Sequence, residues 1–229
     1  MMCSMLSREK AHPALLITSA GGTPEWVSSL ETLKLAVGLC DFTCCQRNHT
    51  FPGIGVVPCD RDITREILEK LIKAKLRHLL DTSQYIDARF TFCFTHWWLR
   101  TSSALSRLRT NDMSIETFKR DLHWETTSWF DGQNISILFY AVVANASVVV
   151  RTLLEDILSC SDKEMRKRRL SSRVSRNGVV KFGIPGGMTS LMMAMCTSSP
   201  DIVSQMLKAG ADPFETDKGG YDALMAATM

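Results

Sequence analysis

Four cysteines and one histidine near the N-terminus are the residues whose types and spacing suggest chemistry most directly. They run Cys40-x3-Cys44-Cys45-x3-His49, with Cys59 ten residues further on. Thiolates and imidazole are zinc ligands, and four of these residues could close a tetrahedral site. The usual C-x2-C spacing is missing, however, adjacent cysteines are awkward ligands for one ion, and cysteine is also a common small buried hydrophobe. We therefore predict a thiol-lined loop with no metal or other cofactor, and keep zinc as the alternative.

A basic run between residues 159 and 187 is the second such stretch, with eight basic and two acidic side chains. Within it, Arg168-Arg169-Leu170-Ser171 resembles a kinase site directed by basic residues, and phosphate on Ser171 would add about two negative charges beside the arginines. The run could also be a nuclear-import signal or a patch for an acidic partner. More often such a run is a solvated, mobile loop, which is the interpretation we favour. Nucleic acid is not the expected partner.

The remaining sequence gives no sign of an active site. The five histidines are scattered, and no Ser-His-Asp, Cys-His or paired-carboxylate spacing indicates an enzyme. Residues 183–187, Gly-Ile-Pro-Gly-Gly, do not form a phosphate-binding loop, because no Gly-Lys-Ser/Thr follows and Pro185 lacks an amide N–H. We predict a protein that is not an enzyme.

The composition is that of an ordinary globular protein with one or two domains. The chain has 229 residues, 45% hydrophobic and 22% charged, with a net charge of +3. It has no apolar run of the roughly 20 residues that would span a bilayer, and its start does not resemble a signal peptide. Eight cysteines without a secretory signal indicate reduced thiols. We expect a monomer in the cytoplasm, or in the nucleus if the basic run is an import signal.

Residues 1–130 are predicted to form a helical region around the Cys-rich loop at 40–59. A helix is expected to begin at Thr23 and Pro24, and the clearest one covers residues 62–80. Its apolar face is predicted to contain Ile63, Ile67, Leu71 and Leu79, widened by Leu68, Ile72 and Leu76. Residues 87–99 are aromatic-rich and could be helix or strand. Residues 101–113 are expected to be a loop, and Ser114 to begin a short helix.

An internal repeat occupies the C-terminal part of the chain. Residues 187–194, Gly-Met-Thr-Ser-Leu-Met-Met-Ala, return 33 positions later at 220–227 as Gly-Tyr-Asp-Ala-Leu-Met-Ala-Ala. Between the copies, an apolar segment at 202–207 ends in Gly210-Ala211-Asp212. This pattern resembles the ankyrin repeat, in which G-x-T-P-L-H-x-A is followed by V-V-x-x-L-L-x-x-G-A-D. Thr189 is expected to cap the first helix, and Gly210 to end the second.

The resemblance implies an all-α, mostly helical fold, in which a short ankyrin-repeat solenoid carries an N-terminal helical cap. A weaker copy at 134–158 precedes the repeat at 187–219, and a partial copy follows at 220–229. The predicted units are therefore 1–130 and 131–229, with a basic insertion at 159–186. Because the last copy supplies only a first helix, a longer form with further repeats is expected.

Ankyrin arrays bind partner proteins through a concave face made of first helices and hairpin loops. The resemblance therefore implies a non-catalytic scaffold that binds a protein partner, whose identity the sequence does not give. The expected exposed contact residues of the first helices are Tyr140, Val143, Met193, Cys196 and Thr197, and those of the hairpin are Phe214, Glu215, Lys218 and Tyr221. The alternative is a zinc-binding or enzymatic N-terminal domain, for which the repeats recruit the substrate.

Overall fold

The computed structural model describes residues 14–16, 23, 25–27, 43–46, 48–99, 113–124, 127–197 and 200–228. In this part of the chain the fold is mostly helical, which confirms the predicted class. The α-helices are α1 (Thr43–Gln46), α2 (Asp60–Asp81), α3 (Tyr85–Leu99), α4 (Ile115–Asp121), α5 (Ile137–Val143), α6 (Ser147–Ser159), α7 (Lys163–Leu170), α8 (Ser190–Thr197), α9 (Pro200–Lys208) and α10 (Ala223–Thr228). A short 3₁₀ turn covers Val180–Phe182. None of the described helices is both long enough and apolar enough to cross a membrane.

Two small antiparallel hairpins correct the predicted N-terminal region. Strand β1 (Ala14–Leu16) pairs with β2 (Glu25–Val27), so the helix predicted to begin at Thr23 and Pro24 is wrong at its start. Trp and Val are residues that favour a strand when an apolar partner strand is available. The rest of that predicted helix lies outside the described residues. A second hairpin, β3 (Thr50–Phe51) with β4 (Gly55–Val56), and helix α1 occupy part of what was expected to be an irregular loop.

Helix α2 confirms the prediction for residues 62–80, but its buried face is narrower than expected. The helix packs on α3, and Leu68, Ile72 and Leu79 are buried. The other apolar row stays exposed, with Ile63 at 42%, Ile67 at 53% and Leu71 at 39% of their surface accessible. The predicted apolar face is therefore buried only in part, because helical spacing identifies apolar rows without showing which of them has a neighbour.

Helices α3 and α4 supply the aromatic core on which the later helices pack. The aromatic-rich segment is helical, and Phe90 and Phe94 of α3 are fully or almost fully buried. The ring of Phe182, from the 3₁₀ turn, stacks on Phe94 with the ring centroids 5.4 Å apart. As predicted, Ser114 begins α4, because its side chain accepts a hydrogen bond from the backbone N–H of Thr117 at 3.2 Å.

The C-terminal helices form stacked pairs. Helix α5 packs against α6, and α8 against α9; α8 also lies between α5 and α10. Helix α3 contacts α5, so the cap covers the first helix of the first pair. A single cluster of buried side chains runs without interruption from α3 to α10. The cap and the paired helices therefore share one core.

Candidate interaction surface

The α8–α9 pair has the local structure that its sequence predicts. The Thr189 hydroxyl accepts a hydrogen bond from the Met192 N–H at 3.2 Å, which caps α8. Gly187 has a φ of +80°, and a side chain there would approach the Lys218 backbone nitrogen to 3.0 Å. Gly210, with a φ of +91°, ends α9. The expected roles of Thr189 and Gly210 are confirmed.

A projecting hairpin follows α9, and the Asp217 carboxylate holds the backbone of its tip in shape. The Asp217 Oδ1 atom accepts hydrogen bonds from the backbone N–H groups of Gly219 at 2.7 Å and Tyr221 at 3.0 Å. The Asp217 N–H donates to the Tyr221 carbonyl at 2.9 Å. The Lys218 N–H also donates to the Gly186 carbonyl at 2.9 Å, which links this hairpin to the preceding turn. The backbone of the hairpin tip is therefore fixed before any partner arrives.

The basic insertion fixes the same hairpin from the side. Arg173 donates a hydrogen bond to the Thr216 carbonyl at 2.8 Å, and its guanidinium lies 3.4 Å from the Glu215 carboxylate. The Glu215 side chain is consequently only 16% exposed. Glu215 thus serves the hairpin itself, and the expectation that it is exposed for a partner is wrong.

The other three hairpin residues predicted for partner binding are exposed. Phe214 has 82% of its surface accessible and Tyr221 has 49%, and Lys218 is also exposed. Leu224, on the neighbouring helix α10, is 72% exposed. Two aromatic rings, a cation and an aliphatic side chain therefore belong to the hairpin and the helix that follows it. We refer to Phe214, Lys218, Tyr221 and Leu224 as the hairpin surface.

The first-helix residues predicted to be exposed are mostly buried, so that prediction is wrong. Tyr140, Val143 and Met193 have no accessible surface, and Thr197 has 3%. Tyr140 lies under the cap, with its ring centroid 4.8 Å from that of Phe90 and 5.7 Å from that of Trp124. Cys196 is half-buried, and its thiol donates to the Ala226 carbonyl at 3.2 Å. Repeat geometry alone could not show that the cap and the adjacent helix occupy this face.

A buried polar network at the boundary between the cap and the paired helices was not found from the sequence. The Tyr140 hydroxyl donates to the Asp131 carboxylate at 2.8 Å, and the Arg89 guanidinium lies 3.7 Å from the same Oδ2 atom. The Asp131 side chain is completely buried. Burial, and then the negative charge of Asp131, raise the pKa of Tyr140 well above its usual range. The sequence feature that accompanies this network is the loop Asp131-Gly-Gln-Asn. Its aspartate makes the same pattern of backbone hydrogen bonds as Asp217 does in the later loop.

The basic insertion is folded, which contradicts its interpretation as a mobile loop. Its arginines contact the segment that leads into α5, with Arg168 stacked over Phe130 at 4.9 Å and Arg169 over Trp129 at 4.3 Å from the ring centroids. The Arg166 guanidinium donates to the Cys160 carbonyl at 2.7 Å. Ser171 is half-buried at the end of α7, and its N–H donates to the Lys167 carbonyl. Phosphorylation of Ser171 stays a prediction.

The structure brings four of the five candidate metal ligands together. The possible ligand atoms of Cys44, Cys45, His49 and Cys59 all lie within 4.8 Å of one another. Cys40 lies outside the described residues. The cluster sits where α1, the β3–β4 hairpin and the start of α2 meet, and no residue of the hairpin surface belongs to it.

Comparison with known protein families identifies one segment of the chain. The ankyrin-repeat family model matches residues 186–218, which contain α8, α9 and most of the hairpin. No curated protein and no solved structure matches the chain. Residues 186–218 are therefore an ankyrin repeat, and a repeat of this kind implies a protein-interaction module.

Proposed function

We propose that this protein is a non-catalytic scaffold that binds a partner protein through the hairpin surface, Phe214, Lys218, Tyr221 and Leu224. The observation that carries the proposal is the exposure of Phe214, at 82%, on a loop whose backbone is already fixed. Aromatic side chains are enriched in the cores of protein interfaces. A large apolar ring held in water has no evident role in stabilising this fold.

Preorganisation supports the same role. Asp217 orients two amides of the loop, and Arg173 holds the Thr216 carbonyl and the Glu215 carboxylate. A loop that is already ordered loses little conformational entropy when it binds, so more of the contact energy appears as affinity.

The charge of this surface indicates the kind of partner. Lys218 is an exposed cation of the same hairpin, Glu215 is paired with Arg173, and the Asp217 carboxylate accepts hydrogen bonds from backbone amides. A partner that offers an apolar pocket for the aromatic rings and a carboxylate for Lys218 would be complementary to this surface. Rim charges of this type affect the association rate and the specificity more than the affinity.

The test is affinity capture with a double variant. Phe214→Ala with Tyr221→Ala should abolish capture of the partner from extracts of cells that express the protein, while the far-ultraviolet circular dichroism stays unchanged. Ile67→Ala is the matched control, because Ile67 is an apolar residue of 53% exposure on α2, outside the repeat. Equal capture by the wild type, the double variant and the control would refute the proposal.

A further inference from the structure

Three cysteines and one histidine lie close together where helix α1, the β3–β4 hairpin and the residue before α2 meet. Cys44 and Cys45 lie on α1, and the backbone then reverses through Asn48 and His49, which have φ values of 49° and 58°. The His49 N–H donates to the Cys44 carbonyl at 2.7 Å, which fixes the reversal. After the hairpin, the Val57 N–H donates to the His49 carbonyl at 2.8 Å and returns the chain toward Cys59.

The distances between the side chains suit one tetrahedral ion. With Zn–S bonds of about 2.3 Å, two sulfur ligands of a tetrahedral zinc lie about 3.8 Å apart. The sulfur atoms of Cys45 and Cys59 are 3.7 Å apart, and every pair among the four ligand atoms is within 4.8 Å. A disulfide requires about 2.05 Å, and none joins the described cysteines. In the sequence, the adjacency of Cys44 and Cys45 argued against a metal. In the structure, both sulfur atoms nevertheless belong to the cluster of four ligand atoms.

Backbone groups orient the ligand sulfur atoms of this cluster. The Asp60 backbone N–H donates to the Cys44 sulfur at 3.3 Å. The Asp60 amide by itself lowers the pKa of the Cys44 thiol, but burial and the Asp60 side chain outweigh it, so the pKa is raised. Cys59 occupies the N-cap position of α2, a helix of 22 residues, where the positive end of the helix dipole favours a negatively charged sulfur. Backbone amides that point at the ligands of a metal also orient them.

The segment has little else to hold it together. Among the described side chains of residues 43–59, only that of Cys44 is buried. Ile54 and Val56 of the hairpin are 74% and 82% exposed. A two-stranded hairpin of this size has marginal stability in water without a further contact, and small units that lack a core are commonly stabilised by a metal.

We propose that Cys44, Cys45, His49 and Cys59 bind one zinc ion, which fixes α1 and the β3–β4 hairpin to the start of α2. Each cysteine gives its thiol proton to solvent when it binds, and His49 binds through a neutral ring nitrogen. Three thiolates and one imidazole are a ligand set of structural zinc sites and leave no open position for a substrate. The site is independent of the hairpin surface and extends the role of the N-terminal region beyond that of a cap.

The test uses the full-length protein, purified under reducing conditions without added metal. Elemental analysis should find one zinc per chain in the wild type and in Cys160→Ser. Cys160 is a half-buried cysteine outside the cluster and serves as the matched control. Cys59→Ser should lose the zinc, while the circular dichroism of the repeat helices is retained. A wild type without zinc, or a Cys59→Ser variant that keeps one equivalent, would overturn the proposal.

Cobalt substitution keeps the test decisive if Cys59→Ser fails to fold. After removal of zinc by a chelator, one equivalent of Co²⁺ should give the intense visible absorption of tetrahedral thiolate coordination. His49→Asn should bind Co²⁺ more weakly, by at least about tenfold, with a shifted spectrum. An octahedral, weakly absorbing Co²⁺ spectrum in the wild type would contradict a Cys₃His site. A His49→Asn variant with the Co²⁺ spectrum and the Co²⁺ affinity of the wild type would also contradict it.

Discussion

Two hairpins, which we call the first (residues 131–135) and the second (residues 217–221), have the same local structure and opposite surroundings. In the first, the Asp131 Oδ1 atom accepts hydrogen bonds from the N–H groups of Gln133 and Ile135, both at 2.9 Å. Asp217, 86 residues later, repeats that pattern with Gly219 and Tyr221. The Asp131 carboxylate is buried under the cap, whereas Tyr221 of the second hairpin and Phe214 just before it are exposed to solvent. The same turn is thus a structural joint in one place and an exposed surface in the other.

The difference shows that the hydrogen bonds of the aspartate determine the shape of each hairpin, while the neighbours of the hairpin determine its role. The Asp131 Oδ2 atom accepts a hydrogen bond from Tyr140 and faces Arg89 of α3. Within the part of the chain that the structure describes, the Asp217 carboxylate binds only backbone amides of its own loop, and Arg173 acts on the adjacent residues Thr216 and Glu215. We therefore expect changes in the first hairpin to act on folding, and changes in the second to act on binding.

The largest expected effect separates the two aspartates. Asp131→Ala should lower the free energy of unfolding by about 3–5 kcal/mol, because it leaves Arg89 without its buried carboxylate and removes three hydrogen bonds. Asp217→Ala should cost about 1 kcal/mol, because its loop is open to water. Urea unfolding at pH 7 measures both. Equal losses of unfolding free energy in the two variants would show that the two hairpins do not differ in their contribution to folding.

A smaller loss of stability is expected when only the Tyr140 hydroxyl is removed. Tyr140→Phe should cost about 1.5–3 kcal/mol, the range for a hydrogen bond to a charged group. Because the folded pKa of Tyr140 is raised, first by burial and then by Asp131, its contribution is present below the usual tyrosine pKa of about 10. It is lost as the pH rises through the folded pKa.

Urea unfolding of wild type and Tyr140→Phe from pH 7 to pH 11 measures this linkage. The stability difference between the two proteins should be constant up to about pH 9 and should shrink above about pH 10. The raised pKa of the buried Cys93 thiol adds an alkaline loss that both proteins share, so the comparison removes it. A difference that grows with pH would show that Tyr140 is not held in its neutral form.

The smallest effect on stability concerns Arg173 and the second hairpin. Arg173→Ala should change global stability by less than about 1 kcal/mol, since this partly exposed ion pair is screened by water. Amide hydrogen exchange should nevertheless accelerate at residues 215–221. Arg176→Ala, at an exposed arginine of the same insertion, is the control and should leave that exchange unchanged. Identical exchange in both variants would mean that Arg173 does not order the hairpin.

The sequence predicts the parts of the fold that depend on local chemistry. The 33-residue period identifies the α8–α9 pair, because capping residues, small residues and a glycine with positive φ act within a few residues of each other. Helix α2 and the start of α4 at Ser114 follow from periodicity and capping in the same way. The repeat at residues 186–218 can therefore be recognised from its amino acids alone.

The errors arise where distant segments meet. Tyr140 and Met193 were expected on an open face, but α3 covers Tyr140 and both side chains lie in the shared core. The basic insertion was expected to be mobile, yet its arginines stack on Trp129 and Phe130. The closeness of Cys44, Cys45, His49 and Cys59 was likewise not visible in their spacing, because the reversal at Asn48 and His49 brings them together. Each of these features depends on the packing of the folded chain, which a short stretch of sequence does not show.

The most direct test of the proposed binding role uses matched positions on the two hairpins. Gly132 and Lys218 each follow the aspartate that holds its hairpin, and both are exposed. A photo-crosslinking amino acid introduced at position 218 should give a discrete crosslink to a partner protein in cells, while the same group at position 132 should give none. Crosslinks of equal yield at both positions, or a crosslink at position 132 alone, would contradict a binding role for the second hairpin.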